Sequence, residues 1–325
     1  MGKFATFTRR AALLGSIGIG GGVAFGYYAY RKPYANPLLR DADAQSAVLT
    51  PYVVVDASGI TVITPRAEMG QGVHTTLAAL VAEELGVTLA DVRVVHGPAA
   101  KAYYNAAIAQ DIVPFAPTDE GAWAERARRF TAVPAKFLGA QITGGSSSTP
   151  DGFTKMRKAG AAAREVLLVA GARLLGAPVA ALTLSGAGVS DADGNVATYA
   201  DLAQAARDID VPDDPALTPP AQWRLLGRAQ PRVDVPAKST GTAQFSIDVR
   251  LPDMLYATVR MNPHLGGTLN SFDATAARQM RGVKKVIALD GGITVIATNT
   301  WYALQAAEAV VCDWADAPYP ADSVA

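Results

Sequence analysis

From Pro150 onward the chain specifies one long helix that no small fold can cover by itself. Met156, Ala159, Gly160, Ala163, Val166, Leu167, Ala170 and Leu174 recur at spacings of three and four, which puts them on one face. A stripe of that length must be buried against a sheet or other helices, so an architecture mixing both is expected. The residues ahead of it run Thr143-Gly144-Gly145-Ser146-Ser147-Ser148-Thr149-Pro150-Asp151. Pro150 suits a first helical position and Thr149 an N-cap. Hydroxyls and flexible backbone therefore end at the positive pole of a helix, a place that suits phosphate. Two readings are open: a capped helix after a Ser/Gly loop, or an anion site formed by Gly144, Gly145, Ser146, Ser147, Ser148 and Thr149. No lysine stands in Walker position, so nucleotide hydrolysis does not follow.

A second glycine-bearing loop lies upstream. Glu68-Met69-Gly70-Gln71-Gly72 runs into a helix beginning near Val73, with Leu77, Leu80, Val81 and Leu85 at helical spacing and Gly86 as its stop. Glycines on both sides of Gln71 let the backbone approach a ligand, and the helix start offers free N–H groups. The amide of Gln71 both donates and accepts, which suits the edge of a heterocycle. The alternative is a tight strand–helix turn with an exposed glutamine.

Around these loops the pattern is α+β. Tyr52–Val55 and Ile60–Ile63 read as a hairpin about Gly59, and Val92–Val95 as a further strand. Residues 98–140 lack clear periodicity and read as loop with some helix. Ala181–Leu184, Gly188–Ser190 and Val196–Thr198 read as short strands about Asp193-Gly194-Asn195. Pro212, Pro215, Pro219 and Pro220 mark a linker over 212–221. Beyond it, Ala243–Val249, Leu255–Met261, Val283–Leu289 and Ile293–Thr298 read as strands, with a helix near Tyr302–Ala309. Glu83 and Glu84 are adjacent on one helix and read as a solvated face, as do Arg157, Lys158 and Arg164 on the long helix. His96 and His264 read as structural or surface histidines.

Composition removes several function classes. Lys+Arg and Asp+Glu are each 29, so no basic surplus exists to neutralise a nucleic acid. The single cysteine, Cys312, excludes an internal disulfide and an iron–sulfur cluster held by this chain alone. His74, His96 and His264 are far apart in sequence, which gives a histidine-built metal site little support. No local histidine serves Ser146–Ser148 and no GxSxG elbow is present, so no catalytic or metal-ligating residue is assigned.

The N-terminus reads as an address. Lys3, Arg9 and Arg10 precede Ala11–Tyr30, which carries no charge and six glycines. This is the form of a twin-arginine export signal, over residues 1–32, followed by a tether over 33–51. A retained membrane helix is the alternative, with Tyr27, Tyr28, Tyr30, Arg31 and Lys32 at the interface. Ala24-Phe25-Gly26 is the best small-x-small cleavage site. A periplasmic or periplasm-facing membrane-anchored protein is expected either way.

Taken in order, the motifs carry a resemblance. Glu68–Thr76, Leu80–Gly86, Thr143–Thr149, Arg157–Ala161, Arg232–Lys238, Thr240–Phe245, Asp248–Pro252 and Trp301–Ala306 with Trp314 are the matching stretches. The chain resembles the molybdopterin-binding large subunit of bacterial molybdenum hydroxylases (the xanthine dehydrogenase/aldehyde oxidase family), of the isoquinoline 1-oxidoreductase beta-subunit type. The resemblance runs over about residues 35 to 325, and the MGQG and TGGSSST pair is its specific part.

It implies half of a permuted molybdopterin-binding domain over 52–211 and an α/β hammerhead-like domain over 222–325. Met69, Gly70, Gln71 and Gly72 would lie against the pterin and dithiolene. Gly144, Gly145, Ser146, Ser147, Ser148 and Thr149 would hold the phosphate end. The implied cofactor is molybdopterin with molybdenum, in the cytosine dinucleotide form. The implied partners are a small [2Fe–2S] subunit, a cytochrome c acceptor and a small-molecule substrate. The implied reaction is hydroxylation of an N-heteroaromatic or oxidation of an aldehyde, with a glutamate in a GVGE-like motif as base. This sequence has no GVGE, so an N-terminal portion that does not turn over substrate alone is expected. The rival expectation is a membrane-tethered binding or docking module without catalysis.

Overall fold

A computed structural model describes residues 26–116 and 118–319. The expected export signal, its alternative as a membrane helix and the cleavage site lie almost wholly outside them. Among the described residues no helix is long and apolar enough to cross a membrane. The described residues form two compact units, which divide between Thr242 and Ala243.

The first unit is built on a four-stranded sheet of β1 (Ala47–Thr50), β2 (Val53–Asp56), β3 (Gly59–Thr64) and β4 (Val92–His96), in that spatial order. The hairpin β2–β3 turns between Asp56 and Gly59, where Gly59 takes a positive φ of 112°. β3 and β4 run parallel, pairing Ile60 with Val92 through Thr64 with His96. The crossover between them is α1 (Val73–Leu85), which starts and stops at left-handed glycines, Gly72 and Gly86. β1 corrects the expected tether, because Ala47 and Leu49 are buried in the core rather than solvated.

The region without periodicity contains α2 (Ala122–Leu138), a 17-residue helix. Only Ala124 and Ala135 of it are buried; its apolar spacing of three and four from Trp123 to Leu138 stands in the sequence, but Pro134 inside it reads as a helix break. The long helix is α3 (Ser148–Leu175), 28 residues. It starts earlier than expected: the N-cap is Ser147 rather than Thr149, so Pro150 falls at the third helical position, where its missing N–H is still harmless. Met156, Ala159, Gly160, Ala163, Val166, Leu167 and Ala170 are buried as the spacing requires, while Leu174 lies past the core and is exposed.

α3 crosses α1 very closely. A Cβ on Gly160 would stand 2.6 Å from the carbonyl oxygen of Val81, and one on Gly152 would stand 2.4 Å from Leu77 Cδ2. A small sheet of β5 (Thr183–Ser185), β6 (Gly188–Ser190) and β7 (Val196–Ala197), with α4 (Tyr199–Ala206), completes the layer.

The boundary expected at 212–221 is corrected to 242/243. Leu225, Leu226 and Val233 pack against the core of the first unit, and a short helix, α5 (Val235–Ser239), ends it. The physical reason is a pair of carboxylates expected in solvent and found in the interior. Glu83 and Glu84 are 3% and 0% exposed. Glu83 accepts from the backbone N–H groups of Arg224, Leu225 and Leu226 at 2.6–3.0 Å. Glu84 accepts from Arg157 Nε at 2.7 Å and from the Thr218 N–H at 2.8 Å. Arg157 is therefore buried as well, and Arg164 Nη1 donates to the Glu84 carbonyl. Lys158 keeps an exposed contact with Asp214.

In the second unit β8 (Tyr256–Met261), β10 (Val283–Leu289) and β11 (Gly292–Ala297) form an antiparallel sheet in the order β10-β11-β8. β9 (Leu269–Asp273) pairs with β12 (Val311–Trp314), two strands that the sequence pattern did not reveal. α6 (Thr275–Gln279) and α7 (Thr300–Ala309) cover a core of Ala274, Ala277, Val286, Ile293, Val295, Ala306, Ala307 and Val310. The strand expected over Ala243–Val249 is absent: a single turn spans Ser246–Asp248, and Phe245, Ile247 and Val249 are exposed without a pairing neighbour.

Candidate functional site

The two glycine-bearing loops, some 75 residues apart in sequence, lie side by side. The link is direct: the Ala67 N–H donates to Thr143 Oγ1 at 2.9 Å, across 76 positions. Gln141 Nε2 adds a bond to the Pro65 carbonyl at 3.0 Å. Between the loops is a cleft of about 340 Å³ lined by Met69, Gln71, Val73, Thr76, Thr143, Gly144, Ser146, Ser148 and Thr149. A neighbouring cavity of about 510 Å³ has Gly145, Ser146 and Ser147 on its wall, with Gln110, Phe115, Arg128 and Pro150. Gly72 faces a third hollow, which Arg232 also lines, while Gly70 lines none of the three.

The upstream loop is held in shape from inside. Gly70 and Gly72 take φ of 105° and 83°, which only glycine adopts without strain. Gln71 Oε1 accepts from the Met69 N–H at 2.6 Å, and Gln71 Nε2 donates to the Ala67 carbonyl at 2.8 Å. Its amide is thus spent on its own loop rather than offered to a heterocycle. The N–H groups at the helix start are not all free either. Glu68 accepts from the N–H of Gly70, Gly72 and His74 at 2.8, 2.9 and 3.1 Å. Partial burial by itself would raise the Glu68 carboxyl, and these amides outweigh it, so its pKa sits below the usual value. An acid just before a helix was the available signal for this role.

Arg232 closes the loop from outside. Its guanidinium donates to the Gly70 carbonyl at 2.7 Å and to Glu68 Oε1 at 3.3 Å, and is itself held by Asp234 at 2.7 Å. Nothing local in the sequence could have paired residues this far apart. Among the described residues nothing lies within 4 Å of where a Cβ would stand on Gly70, Gly72 or Gly144, so these backbone surfaces are bare there.

In the downstream loop Gly145 and Ser146 both take positive φ, 56° and 51°. Ser147 is buried and its hydroxyl is used: it accepts from Asn105 Nδ2 at 2.7 Å and donates to the Gly144 carbonyl at 2.6 Å. The N–H groups of Ser148 and Thr149 meet no partner among the described residues and belong to the cleft wall at the positive pole of α3.

The floor under both loops is a buried ion cluster. Arg66 donates to Asp151 Oδ2 at 2.5 Å and to the carbonyls of Pro65 and Tyr103; its Nε is buried with no partner among the described residues. Asp151 also accepts from Lys155 at 2.7 Å and from the Ala106 N–H at 2.7 Å. Burial lowers the Lys155 pKa, against the pull of Asp151. His74 donates from Nε2 to the Arg66 carbonyl at 2.9 Å, which fixes the neutral tautomer. Burial holds its pKa below the usual value, and the His96 ring lies 5.9 Å away.

The amino-acid sequence matches a molybdopterin cofactor-binding domain model over residues 5–110. It is 30% identical over 95% of its length to a membrane-bound aldehyde dehydrogenase (pyrroloquinoline-quinone) of Gluconacetobacter polyoxogenes, of which it covers 37%. It is 30% identical over 81% of its length to the beta chain of the isoquinoline 1-oxidoreductase of Brevundimonas diminuta, covering 35% of that protein. It is 28% identical over 76% of its length to one of the subunits of the nicotinate dehydrogenase of Pseudomonas putida, covering 19% of it. The chain therefore spans about a fifth to just over a third of the curated relatives it matches.

Proposed function

The chain belongs to the molybdenum hydroxylase family, and from that premise we propose that its two glycine-bearing loops hold the pterin cofactor of a molybdenum-dependent oxidoreductase. The single observation that carries this reading is the shared cleft, with Met69, Gln71, Val73 and Thr76 on one wall and, on the other, bare Gly144 with the unpartnered helix-start amides of Ser148 and Thr149. The residues present fit the group. Ser148 and Thr149 would hold a phosphate oxygen through their N–H groups, with Arg128 adding positive charge beside Gly145–Ser147. Met69 and Gln71, which line the cleft, would lie along the fused rings, with Gly70 and Gly72 shaping the loop that presents them. Gln71, Glu68 and Arg232 would position that backbone through the bonds they make within it.

The bound cofactor would supply two-electron chemistry at a carbon of the substrate. The contribution of this chain is binding, orientation and the exclusion of water from the cleft. The substrate class is an N-heteroaromatic or an aldehyde, the pterin is the cytosine dinucleotide form, and electrons leave to an iron–sulfur subunit; the names of the relatives support the first of these. Residues 52–211 act as part of the cofactor domain and the second unit as a hammerhead-like domain. The charge pattern of Lys3, Arg9, Arg10 and the uncharged stretch after them supports twin-arginine export to the periplasm, with an acceptor such as a cytochrome c there.

The test is cofactor content of the complete protein. Gln71→Ala should lower bound molybdenum and pterin, measured by elemental analysis and pterin fluorescence, without unfolding the chain. Ser146→Asp and Ser147→Asp should lower them further than the matching alanine changes, since an acid repels phosphate at short range. Full occupancy in every variant would remove the cofactor from these loops. Quinone cofactor bound in place of molybdenum and pterin would overturn the assignment outright.

A further inference from the structure

Among the described residues nothing covers one apolar face of the helix α2. Trp123, Phe130 and Leu138 are 74%, 77% and 74% exposed, and Phe137 is exposed with them. With Ala127 and Pro134 they fall within an arc of roughly 100° at the helical turn angle. Core alanines Ala124 and Ala135 sit beside this arc, so the helix is held by one side and bare on the next. Arg126 and Arg129 border the arc on its other edge, and the Arg126 guanidinium lies 5.3 Å from the Trp123 ring centroid. The only acid of the helix, Glu125, is paired with Arg128 at 3.1 Å.

The N-terminal approach of the chain is fastened to the far end of this helix. Lys136 Nζ donates to the carbonyls of Tyr30 and Lys32, and Tyr34 donates to the Lys136 carbonyl at 2.5 Å. Tyr27 and Tyr28 are exposed beside Arg31 and Lys32. The sequence leading to this point, Ala11–Tyr30, is uncharged and follows Lys3, Arg9 and Arg10. The tyrosines and the basic margin are thus tied through Lys136 to the last turn of an amphipathic helix.

We propose that α2 is an interfacial helix that rests on an anionic lipid bilayer. Trp123, Phe130, Phe137 and Leu138 enter the boundary between headgroups and acyl chains, and Arg126 and Arg129 meet lipid phosphates. Pro134 fits this role, since the helix is not packed along that face and the missing N–H faces no core. The proposal is independent of the cofactor assignment: molybdenum content reads one and lipid contact reads the other.

The experiment uses the full chain with vesicles of phosphatidylethanolamine and phosphatidylglycerol carrying brominated acyl chains, which quench tryptophan on contact. The parent and Trp123→Phe are compared, so that Trp223, Trp301 and Trp314 contribute equally to both. Quenching in the parent that is lost in Trp123→Phe is expected, and it should weaken without phosphatidylglycerol or at high salt. Phe130→Asp with Phe137→Asp should lower vesicle binding by about tenfold or more; circular dichroism checks that these exposed changes leave the fold intact. Three results would overturn the proposal. One is co-sedimentation with equal quenching in parent and Trp123→Phe, which assigns binding to the N-terminal stretch alone. Another is self-association abolished by Phe130→Asp with no lipid contact, which assigns the face to a second copy. The third is no vesicle binding at all.

Discussion

Arg66 and Asp151 meet at 2.5 Å with side chains 1% and 2% exposed, joining the end of β3 to the first turn of α3. Each glycine-bearing loop grows from one partner of this pair. Their separation is therefore fixed by a buried charge contact rather than by loop length.

Breaking that contact should be costly. Arg66→Met leaves Asp151 buried with only Lys155 and one amide, and should lower stability by about 3–5 kcal/mol. The double change Arg66→Met with Asp151→Leu should recover part of the loss, because the buried carboxylate is gone and Lys155, 25% exposed, still donates to the Tyr104 carbonyl. Urea unfolding of the parent and the two variants checks this, and equal losses in single and double variants would count against charge burial as the cause.

Gly160 should not tolerate a methyl group. Alanine gains about 1 kcal/mol as a helix former. Its Cβ would nevertheless stand 2.6 Å from Val81 O and 3.0 Å from Glu84 Cβ. Forcing α1 and α3 apart costs about 1–3 kcal/mol. A lower denaturation midpoint for Gly160→Ala is expected; a higher one would mean the helices have room.

Glu83 should act as the clasp for residues 224–226. Glu83→Ala leaves three N–H groups without their acceptor, a loss of about 1–3 kcal/mol. Trypsin should then cut at Arg224 or Arg228 while the parent resists. Resistance unchanged in the variant would show that apolar contacts of Leu225 and Leu226 hold the segment alone.

Acid should weaken the loops through His74. Burial disfavours the protonated ring, with help from His96, while the Arg66 carbonyl, Glu68 and Asp234 pull the other way; the net pKa lies below 6.5. The unfolded chain then takes the proton more readily than the folded one. The contribution of neutral His74 is complete above the unfolded pKa and is lost as pH falls from there through the lower folded value. Parent stability should thus fall more than that of His74→Gln between about pH 7.5 and 5.5. Parallel curves would remove His74 as the responsible group.

Much of this fold is legible in the sequence wherever near neighbours decide the outcome. Gly59, Gly72 and Gly86 stand at positive φ, and each was readable as a turn, a loop or a stop. The stripe from Met156 to Ala170 is buried as its spacing requires. The same local logic failed where an amphipathic pattern had no partner. Ala243–Val249 alternates like a strand but lacks a ladder, and α2 carries its apolar spacing across Pro134, a residue that reads as a break, so its extent was missed.

The sequence by itself determined the two loops, the helices they start and the ligand-friendly chemistry of glycine, hydroxyl and free amide. Tertiary structure alone decided that the loops share a cleft, that Arg232 reaches the Gly70 carbonyl across 162 positions, and that Glu83 is a buried acceptor rather than a solvated acid. The reason is physical. A turn or helix end depends on a few adjacent residues, whereas a carboxylate can be buried only if donors arrive to replace its water, and here those donors come from 141 positions away.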